Sequence, residues 1–307
     1  MSLSIDGARQ AWNRFFFAPT NLSQCGIFRI AYASLLLINI LVWWPDLERW
    51  FGEHGVLGYE ASRTVIDPDT WTLFAWLPKT DGVLWGCYLL LIGHTFLLLV
   101  GLFTRFQAAC VFVWFTSFQH RNLLLFDGED YLFRILAFLL IFLPAGNYWS
   151  LDRLRPSMRR LSVRRLCWHP VWPLRLAQIQ ITLVYVSTVW EKLRGADWLD
   201  GLAAYYVSRL DDVFGRFPVP SIFLESLFVM KLLTWAVLAV ECVLPIGLWF
   251  KETRRWAICL GVALHLALEY TMNLFLFHWL MITCLILFIE GTLIRQGLAA
   301  IKARRPH

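Results

Sequence analysis

Charge is what this sequence has least of. Only 16% of its 307 residues are charged, against roughly 25% in ordinary soluble domains, while 58% are hydrophobic and 16% aromatic. That leaves too few polar side chains to clothe a soluble surface, which excludes a soluble globular domain. The seven cysteines, at 25, 87, 110, 167, 242, 259 and 284, form no CxxC pair and lie mostly inside apolar stretches. Their placement argues against a disulfide framework and against a zinc site. The first twenty residues lack the basic start, continuous apolar core and small-residue cleavage site of a signal peptide, so the first apolar span is expected to direct insertion. No internal repeat or low-complexity segment breaks the chain. A single transmembrane domain over residues 1–307 is the simplest organisation.

What the sequence has in abundance is apolar blocks near the 17 to 25 residues, approximately, that a helix needs to cross a hydrocarbon core. They fall roughly at 22–44, 83–103, 106–122, 130–149, 174–193, 222–250, 254–271 and 273–292. The expected fold is all-α, a polytopic transmembrane helical bundle of about eight spans. The net charge of +6 does not point to nucleic acid, because the basic residues gather in short segments between the blocks: RLRPSMRRLSVRR from Arg153, KETRR from Lys251 and the tail IKARRPH from Ile301. These belong on the cytoplasmic side. The stretch from Asp46 to Asp81 holds seven acids against three basic residues, and with the acidic loops FDGED near 127 and DWLDG near 197 it belongs outside. One topology, with both termini cytoplasmic, satisfies every loop; it fits a bacterial inner membrane, with the endoplasmic reticulum as the alternative. The segment LRPSMRRLSVRRLCWHPVW also reads as a basic interfacial helix or as a plain anchor for anionic headgroups.

Polar residues inside apolar spans are costly unless paired or turned toward a cavity, so each is a candidate site. His120 closes the third span in TSFQHRN, just before the acidic loop that contains Asp130. Lys192 lies at the outer end of the fifth span, in VYVSTVWEKLRGADW. On a helix it shares a face with Thr188, Tyr185, Ile181 and Gln178. A stripe that polar suits the interior or a water-filled cavity, and desolvation there favours a neutral amine able to act as a base; the other reading is an interfacial lysine that snorkels. In the seventh span His265, Glu269 and Asn273 follow at four-residue steps. They suit either a buried hydrogen-bonded set that orients a substrate or a structural contact between helices. As metal ligands they are too few without partners elsewhere, so no metal is expected. Arg29, Arg134, Glu225, Lys231 and Glu241 can pair across the spans, without the sequence saying how. His94 and His278 read as core histidines.

Three stretches carry a resemblance: WPDLERWFGEHGVL, HRNLLLFDGEDYLFRILAFLLIFLPAGNYWSLDRL and QIQITLVYVSTVWEKLRGADWLDG. They resemble the HTTM domain family, the membrane domain shared with vitamin K-dependent γ-glutamyl carboxylase, over residues 10 to 293 or so. Tyr148 to Asp152 and Lys192 to Gly201 are the most specific pieces. The resemblance implies a membrane enzyme that uses reduced vitamin K or a related quinol, with a lysine on the non-cytoplasmic side as the base; the matching position is Lys192. It also implies carboxylation of a peptide substrate. Departures qualify this. Glu191 stands where the carboxylase has a second lysine, and Glu129 and Asp130 stand where it has an asparagine and a histidine; a carboxylate accepts hydrogen bonds, whereas a neutral imidazole can donate one. Nor do these 307 residues match the carboxylase's large lumenal domain, so peptide recognition in its manner is not expected. Two other readings stay open: a membrane scaffold for a thiol-disulfide oxidoreductase, which this family's domains often accompany, and a small transporter.

Overall fold

The structure, a computed structural model, describes residues 5–65, 70–154 and 168–296. Most of the basic segment after the fourth expected span, Cys167 and the tail from Ile301 lie outside the described residues. The chain divides into two compact units, one of Met1–Arg175 with Glu290–His307 and the other of Leu176–Ile289.

The first unit opens with helix α1 (Ile5–Phe17) and strand β1 (Pro19–Asn21). Helices α2 (Gln24–Leu41), α3 (Leu47–Phe51), α4 (Tyr59–Val65), α5 (Asp81–Val100), α6 (Thr104–Arg121) and α7 (Gly128–Leu140) follow. Strand β2 (Trp168–Pro170) returns to pair antiparallel with β1. Local chemistry sets the helix ends. Thr80 caps α5 by accepting from Val83 N, and Gly101, at φ +72, ends it in the left-handed conformation that glycine adopts without a Cβ clash. Asp127 and Asp130 form a reciprocal capping box at the start of α7. Tyr32, Tyr88, Phe115, Phe118 and Phe133 are buried in the core. Both core tyrosines satisfy their hydroxyls on backbone carbonyls, Tyr32 on Phe133 and Tyr88 on Ile40, each at 2.8 Å.

The second unit takes most of α8 (Trp172–Arg194), then α9 (Ala196–Leu199), α10 (Ala203–Val207), α11 (Ser221–Glu225), α12 (Leu227–Gly247), α13 (Lys251–Thr271) and α14 (Phe277–Leu285). Small residues bring its helices close. A Cβ at Gly261 would come within 2.9 Å of Leu285 Cδ1 and 3.3 Å of Leu244 Cδ2, so this glycine on α13 lets α12 and α14 approach, as small residues do between membrane helices.

Each of the eight apolar blocks overlaps a helix. By length and composition, three helical stretches among the described residues qualify to cross a membrane: Gln24–Phe51, Asp81–Val100 and Leu227–Gly247. The others differ for two reasons. At 13 and 9 residues, α7 and α14 fall below the roughly 20 that a crossing requires, while α6, α8 and α13 are long enough but interrupted by polar and charged side chains.

Candidate functional site

The polar face of α8 is turned into the second unit, where its side chains reach four partners. Gln178 Nε2 donates to the carbonyl of Leu287 at 2.9 Å, beyond the end of α14. Thr182 Oγ1 accepts from Trp249 Nε1 at 3.0 Å. The buried Tyr185 places its hydroxyl 2.9 Å from His265 Nε2 on α13. Lys192 Nζ donates to Glu241 Oε2 on α12 and sits 4.7 Å from the centre of the Trp198 ring. Thr188, on the same face, bonds back to the carbonyl of Tyr185. Lys192 is therefore held by a carboxylate and an aromatic face, and its side chain is only 20% exposed.

Next along α13 the geometry tightens. His265 Nδ1 lies 3.3 Å from His278 Nδ1, and both rings are buried. One turn further, Glu269 Oε1 accepts from Arg216 at 2.7 Å and from Trp279 Nε1 at 2.8 Å. Two buried atoms on this α13–α14 seam, His278 Nε2 and Glu269 Oε2, have no hydrogen-bond partner among the described residues. Asn273 does not continue the face: α13 stops at Thr271, and Asn273 is exposed with its backbone N–H bonded to Val213. Spacing counted it in because the arithmetic presumes an unbroken helix.

His120 and Asp130 belong to the first unit. His120 bridges the carbonyl of Trp71, 2.6 Å from Nδ1, and Arg134, 2.9 Å from Nε2. Asp130 accepts from Asn39 Nδ2 at 3.2 Å and from its own capping partner, Asp127 N, at 3.2 Å. Asp127, Glu129 and Asp130 offer carboxylate oxygens within 4.8 Å of one another, a spacing that a cation could bridge. Asp127 and Asp130, however, are already engaged in the capping box, so a helix cap explains the cluster.

Reasoning from sequence missed three features. Arg29, fully buried in α2, makes no direct bridge to a carboxylate among the described residues. It donates to the carbonyls of Ala145, Tyr148 and Trp149 at 2.8, 3.3 and 2.6 Å. Asp152 accepts from Phe103 N, Thr104 N and Thr104 Oγ1 at 2.7 to 2.8 Å, capping α6 from 48 positions away. The segment Tyr148 to Asp152 is therefore a latch closed on α2 and α6 rather than a reacting group. His278, read as a plain core histidine, carries one of the two unsatisfied atoms. No local signal distinguished it, since its partner lies on another helix.

Residues 17–292 match the family described as the HTTM domain. The sporulation-delaying protein SdpB of Bacillus subtilis (strain 168) is 25% identical over 207 residues, covering 63% of this chain. The match spans 60% of the length of that relative. No solved structure matches the chain.

Proposed function

The chain belongs to the HTTM domain family and is a predominantly helical integral membrane protein, and on that premise we propose that Lys192 is the base of a membrane-embedded site that takes a proton from a lipophilic quinol of the reduced vitamin K type. The observation that carries this reading is the setting of Lys192. It lies on an interior polar face and not in solvent, with Glu241 as counter-ion and Trp198 against it. An amine in such a place has one clear task in proton chemistry. When it gains a proton, Glu241 accepts a charge-assisted hydrogen bond from the ammonium and stabilises it.

The residues present fit a quinol. The seam beside Tyr185 offers a buried imidazole nitrogen and a buried carboxylate oxygen, both without a partner among the described residues, and a hydroxyl can donate to a carboxylate and either donate to or accept from an imidazole nitrogen. Once bound, a quinol supplies an acidic hydroxyl and, after deprotonation, a readily oxidised anion. Lys192 holds the proton, Glu241 balances its charge, Trp198 shields the amine, and His278 and Glu269 orient the bound oxygen. Coupling to carboxylation is the chemistry suggested by the family resemblance.

The orientation that goes with this site has eight spans, both termini cytoplasmic, and the outer ends of the third, fifth and seventh spans facing away from the cytoplasm of a bacterial inner membrane. The acidic outer loops and basic inner loops support it. Single cysteines placed at Asp81 and at Lys251 in a cysteine-free background test it: a membrane-impermeant thiol reagent should label the first from outside and the second only after permeabilisation.

The activity test uses the purified protein in lipid nanodiscs with reduced 2-methyl-1,4-naphthoquinone and oxygen, and follows quinol oxidation by absorbance. Wild type should turn over, and Lys192→Met should abolish turnover while leaving the thermal transition cooperative. Unchanged turnover in Lys192→Met would remove Lys192 from the mechanism.

A further inference from the structure

Tyr185, His265 and His278 come from three helices, and their contacts form one unbranched line: hydroxyl to Nε2 at 2.9 Å, then Nδ1 to Nδ1 at 3.3 Å. Each imidazole in its neutral form carries a single N–H. The proton on His265 therefore fixes the rest. If Tyr185 donates to His265 Nε2, His265 Nδ1–H donates to His278 Nδ1, and His278 must carry its proton on Nε2. If His278 Nδ1–H donates instead, His265 Nε2–H points at the tyrosine oxygen and His278 Nε2 is a bare lone pair. The first arrangement satisfies every atom but the last, and the second leaves the tyrosine's own proton to be donated outward as well. His278 Nε2 is 1% exposed at the level of its residue and has no partner among the described residues. A buried donor or acceptor left so costs about 1–3 kcal/mol, and this cost falls at the one end of the line that can present either a donor or an acceptor.

We propose that Tyr185, His265 and His278 form a proton relay whose open end, His278 Nε2, meets the oxygen of a bound molecule, and whose other end discharges toward Lys192. This rests on the quinol reading for the identity of that oxygen. The step is balanced. His278 Nε2 takes a proton from a hydroxyl hydrogen-bonded to it, and the Nδ1 proton of His278 crosses to His265 Nδ1. The Nε2 proton of His265 joins the Tyr185 oxygen, whose own proton passes to Lys192 in the state in which its amine has released a proton. One O–H bond breaks at one end and one N–H bond forms at the other, and the two histidines and the tyrosine end neutral. Lys192 stands two turns beyond Tyr185 on the same face of α8, so one helix carries both the last hydroxyl of the line and the base. An end that can present N–H or lone pair suits both a quinone carbonyl and a quinol hydroxyl, the two states of one oxygen. The neighbouring orphan, Glu269 Oε2, is acceptor-only when ionised and cannot serve both.

The experiment is magic-angle NMR of ¹⁵N-histidine-labelled protein in lipid. In Tyr185→Phe the ring-nitrogen signals of His278 should move, although the tyrosine hydroxyl meets His265 and not His278; Thr182→Val, on the same face, should leave them in place. Addition of reduced 2-methyl-1,4-naphthoquinone should shift His278 Nε2. In the turnover assay His278→Gln and Tyr185→Phe should each fall about a hundredfold or more, the span that positioned proton transfer contributes. His278 signals indifferent to Tyr185→Phe would overturn the relay, as would Lys192-dependent turnover that survives both variants. Coupled histidine signals with no response to the naphthoquinol and no turnover would uphold the relay and remove the quinol.

Discussion

Lys192 Nζ donates to Glu241 Oε2 between helices whose partners lie 49 residues apart in the chain. The two side chains are 20% and 9% exposed, so the pair is largely desolvated and either member alone becomes a buried, uncompensated charge. Removing one partner of a buried pair costs about 3–5 kcal/mol, and the partial exposure of Lys192 should place this pair toward the lower end. Lys192→Met and Glu241→Leu should each lower the thermal transition in nanodiscs, and the double variant should be more stable than the sum of the two losses predicts. A strictly additive cycle would show that the pair contributes nothing.

Arg29 answers three carbonyls with one planar group. Lysine carries the same charge but lacks the fork, and Arg and Lys are not equivalent at such sites. Arg29→Met leaves buried carbonyls unmet at about 1–3 kcal/mol each, so it should destabilise strongly in chemical denaturation. Arg29→Lys should recover only part of the loss. Full recovery by lysine would mean that charge rather than geometry holds the latch.

Asp152 supplies the first turn of α6 with the acceptor that its own N-terminus lacks: Phe103 occupies the cap position and offers no side-chain bond. Asp152→Ala should cost about 1–2 kcal/mol, the range for a lost cap. Asp152→Asn should cost less, because an amide oxygen still accepts but brings no negative charge to the helix dipole. Equal losses in the two variants, measured by thermal unfolding, would assign the effect to charge alone.

Gly101 stands where the latch and the end of α5 meet. Its φ of +72 penalises any Cβ, and the Cβ of alanine would fall 2.5 Å from both Arg29 Nη1 and Ser150 Cβ. The left-handed conformation costs an L-residue about 1–2 kcal/mol, and displacement of the guanidinium adds to it. Gly101→Ala should therefore lower stability by more than the backbone cost, and combining it with Arg29→Met should cost less than the sum of the two, because the clash with the guanidinium is gone while the backbone cost and the Ser150 contact stay. Additive losses would mean that the two residues act separately.

The sequence by itself determined the membrane class, the positions of the apolar helices and the polar face of α8. These follow from local properties, hydropathy over about 20 residues and a 3.6-residue period, which every window of the chain carries. It also marked His265 and Glu269 as one face of α13, but overextended that face to Asn273, because periodicity does not reveal where a helix stops. The partners were decided only by tertiary structure: Glu241 for Lys192, His278 for His265, and backbone carbonyls rather than a carboxylate for Arg29. Each of these contacts joins residues remote in sequence, and which side chains meet depends on how helices cross and how closely small residues such as Gly261 let them approach. Hydropathy records that a polar group is buried; the packing of its neighbours decides what satisfies it.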